Sequence, residues 1–172
     1  MRLFTVGHST RTSQEFLSIL KEYDIQVLVD VRRFPGSKRH PQFSKEELRE
    51  NLESEGIQYT WLGEELGGYR KEGLGEESPN QAWDSKGFRN YADYTKNEEF
   101  KEGIKRLLNT AKNKKVVYMC AEKFYWRCHR RIISDYLKAK GHSVTHIIEK
   151  DETREHKLPY FAEVKDGKLS YP

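Results

Sequence analysis

The sequence predicts an α/β domain: a doubly wound, mostly parallel sheet of about five strands with helices on both faces. Two features predict it. Short β-branched and aliphatic runs alternate with longer stretches whose apolar residues recur at helical spacing. One run, Ile25 to Val31, is apolar at almost every position, as a strand covered on both faces must be.

Leu3 to Val6 reads as the first strand. Thr12 and Glu15 fit a capping box, with Phe16, Leu17, Leu20 and Tyr23 on one helical face behind them. After the Ile25–Val31 strand comes a polar loop, Arg32 to Gln42, broken by Pro35, Gly36 and Pro41. Ser44 and Glu47 repeat the capping-box spacing, Phe43 and Leu48 occupy staple positions, and Gly56 stops that helix. Ile57 to Leu62 is the third strand. Residues 63–87 are rich in glycine and poor in apolar side chains, which suits a loop that closes over a site. Phe88 to Lys112 is helical with a break near Asn97, Val116 to Cys120 is a buried strand, and Arg127 to Lys140 is a helix stopped by Gly141. Ser143 to Ile148 is the fifth strand. Residues 1–149 form the core domain, and 150–172 a tail in which Asp166-Gly167 turns a small hairpin.

Composition narrows the function class. The 172 residues suit one domain with its own core. Aromatic residues at 12% argue against disorder. No window approaches a membrane span, the apolar stretch before Gly7 is too short for a signal peptide, and two cysteines make no disulfide framework. A reduced, cytoplasmic setting with no membrane partner is expected. Net charge is only +4, but the basic residues cluster: Arg32, Arg33, Lys38, Arg39 and Lys45 without an acid between them, then Lys123, Arg127, Arg130 and Arg131. Two solvated surfaces would also account for them.

In such sheets ligands bind beyond the carboxyl ends of the strands. Those ends carry Gly7-His8-Ser9, Asp30-Val31-Arg32 and Cys120-Ala121-Glu122, and the last leads into Arg127-Cys128-His129-Arg130. The helical wheel puts His129 on the core face near Cys120, Arg130 at the rim and Arg131 in solvent. A helix N-terminus flanked by arginines favours an anion. Arg32, Arg127 and Arg130 are therefore expected to hold an anion, with Ser9, Arg39, Gln42, Gly67 and Gly68 around it. His8, Asp30, Glu122 and His129 are the acid–base candidates and Cys128 the candidate nucleophile. Each also has a plain structural reading: a satisfied core histidine, a buried carboxylate paired to Arg32, an inert buried Cys120.

Three chemistries compete. One is reaction of a phosphate-bearing small molecule, a nucleotide or a nucleic acid. Another is thiol or sulfur-transfer chemistry in a rhodanese-like arrangement, although the stretch from Cys120 to Arg127 is one residue longer than that active-site loop. A metal site is poorly supported, since no paired Cys-x-x-Cys occurs, and no cofactor is implied. A non-catalytic alternative uses the 32–45 loop, whose arginines, His40, Phe34 and Phe43 would hold phosphates and stack on bases. Nothing in the sequence sets the oligomeric state.

Gly7-His8-Ser9, Asp30-Val31-Arg32, Phe34-Pro35, Pro41-Gln42-Phe43, Leu66-Gly67-Gly68, Phe88-Arg89, Tyr91-Ala92-Asp93-Tyr94, Cys120-Ala121-Glu122 and Arg127-Cys128-His129-Arg130 together resemble the domain-of-unknown-function family 488. The resemblance runs from Thr5 to about Ile148. It implies one α/β domain and a site at these positions, and no particular reaction, substrate or cofactor.

Overall fold

Six strands form one sheet in the order β3-β2-β4-β1-β5-β6, in a computed structural model that describes residues 1–172. These are β1 (Arg2–Gly7), β2 (Val27–Asp30), β3 (Gln58–Trp61), β4 (Val116–Cys120), β5 (Ser143–Glu149) and β6 (Glu152–Glu155). The first five run parallel, and β6 pairs antiparallel with β5. The sheet is therefore one strand larger than the sequence suggests. Every β6 residue is exposed and three of the four are charged, so no apolar alternation marks it. Charge on an edge strand deters pairing with other chains.

Helices cover both faces. On one side α1 (Ser13–Glu22) and α2 (Lys45–Ser54) bury Phe16, Leu20, Leu48 and Leu52 against Phe4, Leu28 and Val117. The short α3 (Gly63–Leu66) and the longer α4 (Lys86–Tyr94), α5 (Glu98–Ala111) and α6 (Arg130–Ala139) cover the other. There Phe100, Leu107, Ile132 and Leu137 meet Val27, Val29, Val116 and Tyr118. Alternate residues of β2 and β4 thus serve opposite cores, which is why both strands read as continuous apolar runs.

Several local signals hold. The Thr12–Glu15 capping box is formed, Gly56 and Gly141 end their helices at positive φ, and Asp166-Gly167 turns the hairpin of β7 (Glu163–Lys165) and β8 (Lys168–Ser170). Ser44 and Asn97 stand at N-caps without a side-chain hydrogen bond, so the second capping box does not close. The stretch 63–87 is anchored rather than loose: Asp93 accepts from the Leu74 amide, Ser78 and Asn80.

The connection order brings three strand ends together. The chain moves out from β1 to β2 and β3, then returns to lay β4 between β2 and β1. The His8 amide donates to Cys120 O, Ser9 to Ala121 O and Val31 to Met119 O, each at 2.9 Å. Gly7 lets the loop after β4 cross the end of β1, because a Cβ there would lie 1.8 Å from the Glu122 carbonyl oxygen. Overpacking against backbone costs about 3 kcal/mol. Gly7→Ala is expected to lower the thermal midpoint by roughly 6–12 °C, read by calorimetry; an unchanged midpoint would show that the loop can move aside.

Candidate functional site

The expected residues fall into two neighbouring clusters. In the first, Asp30 is fully buried and its carboxylate is saturated. Oδ1 accepts from the Arg32 amide and Nε, and Oδ2 from Arg32 and from the Tyr59 hydroxyl at 2.6 Å. This paired form is the one a buried carboxylate requires. His8 donates from Nδ1 to the Ser9 carbonyl, leaving Nε2 to accept from Arg32 at 3.3 Å. Its ring stacks on Phe43 at 4.4 Å. Burial pushes its pKa down to about 4, so His8 is neutral near pH 7. Phe43 itself is buried and unable to stack on a ligand.

The second cluster centres on Arg130. Its side chain is 1% exposed, inside the protein rather than at the rim that the helical wheel suggests. Nε donates to Cys120 Sγ at 2.9 Å, one terminal nitrogen to Thr5 Oγ1 at 2.8 Å, and the other to the Glu122 and Lys123 carbonyls. Cys128 Sγ lies 3.1 Å from Cys120 Sγ. Burial disfavours a thiolate at both sulfurs, but at Cys128 it is outweighed by a hydrogen bond from Cys120, the Arg130 guanidinium and the Arg130 amide at the start of α6. The Cys128 thiol is held well below its ordinary pKa, while burial and the neighbouring sulfur push Cys120 well above. A buried cation so close to the pair favours a thiolate there.

His129 stands at the N-cap of α6, half-buried. Its Nε2–H donates to the Val31 carbonyl at 2.8 Å, which leaves Nδ1 as an acceptor. Gly68 packs on that edge, where a Cβ would be 3.0 Å from Nδ1. Gly67 is just as constrained, against Arg33.

A pocket of about 360 Å³ opens over the thiols, lined by Arg32, Cys120, Glu122, Arg127, Cys128 and His129 and roofed by Gly68, Tyr69 and Phe88. The Arg127 side chain lies over the Phe124 ring and makes no hydrogen bond or ion pair. The Glu122 carboxylate is likewise unpaired, only its backbone carbonyl being engaged. Arg32 and Arg130, expected to hold an anion, instead have donors committed to Asp30, Thr5, Cys120 and carbonyls. Ser9, Arg39 and Gln42 lie outside this lining; Gln42 donates to the Arg11 carbonyl. Arg131, expected in solvent, stacks over Trp83. No cluster of three metal-binding side chains occurs.

Sequence reasoning missed a buried chain running from Arg130. Thr5 donates its hydroxyl proton to His146 Nδ1 (2.7 Å), His146 Nε2–H to His156 Nδ1 (2.8 Å), and His156 Nε2–H to Asp135 Oδ1 (2.6 Å). Tyr171 donates to Asp135 Oδ2 at 2.6 Å. Burial holds the His146 ring neutral, so one of its nitrogens donates and the other accepts. Asp135, three residues past Ile132 on the apolar face, and His146, inside a strand of buried residues, were the legible signals.

The family model described as "Domain of unknown function DUF488" matches residues 12–137. No curated protein and no solved structure matches the chain. No helix is long and apolar enough to cross a membrane.

Neutral buried histidines make stability depend on pH. His8 has its pKa lowered from 6.5 to about 4 and His146 to about 2, both chiefly by burial. Below pH 6.5 the unfolded chain binds protons that the folded one refuses, so stability falls as pH drops from 6.5 through 4. Thermal unfolding at pH 7, 5.5 and 4.5 should show a steadily falling midpoint, less steep in a His8→Asn variant; equal slopes in both proteins would mean that His8 is not held neutral.

Proposed function

The chain belongs to the DUF488 family, and from that premise we propose that it is a thiol-dependent enzyme acting on a phosphate-bearing or otherwise anionic substrate. One observation carries the reading: two sulfurs 3.1 Å apart at the floor of a pocket, with the buried Arg130 guanidinium 2.9 Å from one of them. A thiolate, not a thiol, is the nucleophile, and a nearby cation and a helix N-terminus are what lower a thiol's pKa.

Cys128 is the nucleophile in this reading, being the less buried sulfur and the one held as thiolate. The Arg127 guanidinium, which has no hydrogen-bond partner, meets the substrate's negative charge at the pocket mouth. Glu122 and the free Nδ1 of His129 are placed to move a proton on the substrate. Cys120 tunes the pair: as a thiol it donates to the Cys128 thiolate. Arg32 lines the pocket with its guanidinium tied to Asp30 and His8, which lie outside the lining. Free thiols of this kind need a reducing compartment such as the cytoplasm.

Rhodanese-like sulfur transfer is less well supported. Its anion rests on free loop amides, whereas here the Arg127 and Cys128 amides donate to Phe124 and Tyr125 carbonyls.

Two alkylating agents of one shape and different charge test the reading. At pH 7, iodoacetamide should modify Cys128 before Cys120, located by peptide mass spectrometry. Iodoacetate should be favoured at Cys128 relative to its rate with a free small thiol. Arg127→Ala should lower that preference by roughly five- to tenfold, about 1–1.4 kcal/mol, and inorganic phosphate should slow the reaction. A Cys128 inert at pH 7, or an anion preference untouched by Arg127→Ala, would overturn the proposal.

A further inference from the structure

Beside the thiol pocket lies a second, larger cleft of about 910 Å³, and the two share one wall: Arg33, Phe34, Tyr69 and Arg70. Phe34 is 70% exposed and Tyr69 78%, their ring centroids 6.1 Å apart. Scattered exposed aromatics need no explanation, but Tyr69 is unusual in a second way. Its φ is +60°, the left-handed region that bulky residues avoid. Such strain costs about 1–3 kcal/mol and persists where the surroundings hold it or function rewards it. The Tyr69 ring gains little burial in return. What holds the strain is the backbone: Arg33 donates to the Tyr69 carbonyl, and Arg70 donates to the Gly67 and Glu64 carbonyls.

The wall is also basic. Arg33 lies over the Phe34 ring and Arg70 over Tyr94 at 3.8 Å. Lys71 and Lys96 line the outer cleft with them. Glu72, Asp93 and Glu99 also line the outer cleft, and of these the Asp93 carboxylate is already committed to the Leu74 amide, Ser78 and Asn80. Exposed flat rings interleaved with cations match a polymer of alternating aromatic bases and phosphates. A duplex keeps its bases stacked on one another and would offer these rings no face.

We infer that this wall is a docking platform for single-stranded nucleic acid, whose bases stack on Phe34 and Tyr69 while one terminal or flipped-out unit enters the thiol pocket. The inference names the substrate class for the thiol chemistry proposed above and rests on that reading for the second half only. It replaces Phe43, which is buried, with Tyr69 as the second stacking ring. The phosphates would run along Arg33, Arg70 and Lys71. Arg127 would meet the phosphate of the unit inside the pocket.

The full-length protein and a fluorescein-labelled single-stranded oligonucleotide of about 12 nucleotides test it. Anisotropy should report binding that weakens as salt rises. Phe34→Ala and Tyr69→Ala should each weaken it by roughly five- to a hundredfold, with a duplex of the same sequence bound more weakly than the single strand. The strand should also slow iodoacetamide modification of Cys128, and in each variant that protection should require a proportionately higher strand concentration. Absent binding, equal binding of duplex, or an acidic peptide competing as well as the strand with no effect of Tyr69→Ala would each overturn the platform. Binding that leaves Cys128 unprotected would overturn its link to the thiol pocket. An inert Cys128 with intact, ring-dependent binding would remove the thiol reading and leave the platform standing.

Discussion

A guanidinium sealed inside the protein is the constraint on which the rest of the site depends. Taking Arg130 out of water costs several kcal/mol unless its donors and charge are both met. The donors are met by Thr5, Cys120 and two carbonyls. The charge needs an anion, and the nearest groups able to supply one are the sulfurs of Cys120 and Cys128. The Asp135 carboxylate, also buried, is reached only through Thr5 and two histidines. Arg130 is therefore the reason a thiolate is favoured here, not a surface residue waiting for substrate.

The same constraint explains why distant parts of the chain are tied to the site. The Glu122 carbonyl reaches Arg130 because the loop after β4 crosses β1 closely, and that crossing requires Gly7. Thr5 meets Arg130 on one side and His146 on the other. His156 and Tyr171 then complete the Asp135 end, and both lie beyond residues 12–137, the span the family model matches. The tail thus closes the hydrogen-bond account of the core, although its own sequence carries little apolar pattern. Meanwhile Asp30 and Arg32 satisfy each other, which leaves Arg127 as the unengaged cation next to the thiols.

Local physics was readable from the sequence where a short segment decides the outcome. Thr12 and Glu15 cap a helix, Gly141 stops one, and Asp166-Gly167 turns a hairpin, each within a few residues. Convergence of the strand ends followed from the α/β pattern, so His8, Asp30, Cys120 and Glu122 were expected at one edge, where they lie. Non-local outcomes were not readable. Arginine on a helical wheel suggests the rim, and only tertiary contacts to Thr5 and Cys120 draw Arg130 inward. Nothing in Glu152–Glu155 announces a strand, because pairing with β5 rather than burial makes it one. Tyr69 likewise draws notice only through its backbone angle and exposure.

The most direct test of this account is to count thiolates by ultraviolet absorbance while the folded protein is titrated with base. The account predicts one thiolate already present at neutral pH in the wild type, absent from Cys128→Ser, with Cys120 ionising only at much higher pH. Two thiols that both ionise near the ordinary cysteine value, about 8.5, would contradict it, since Arg130 would then be buried without the anion that this reading assigns to it.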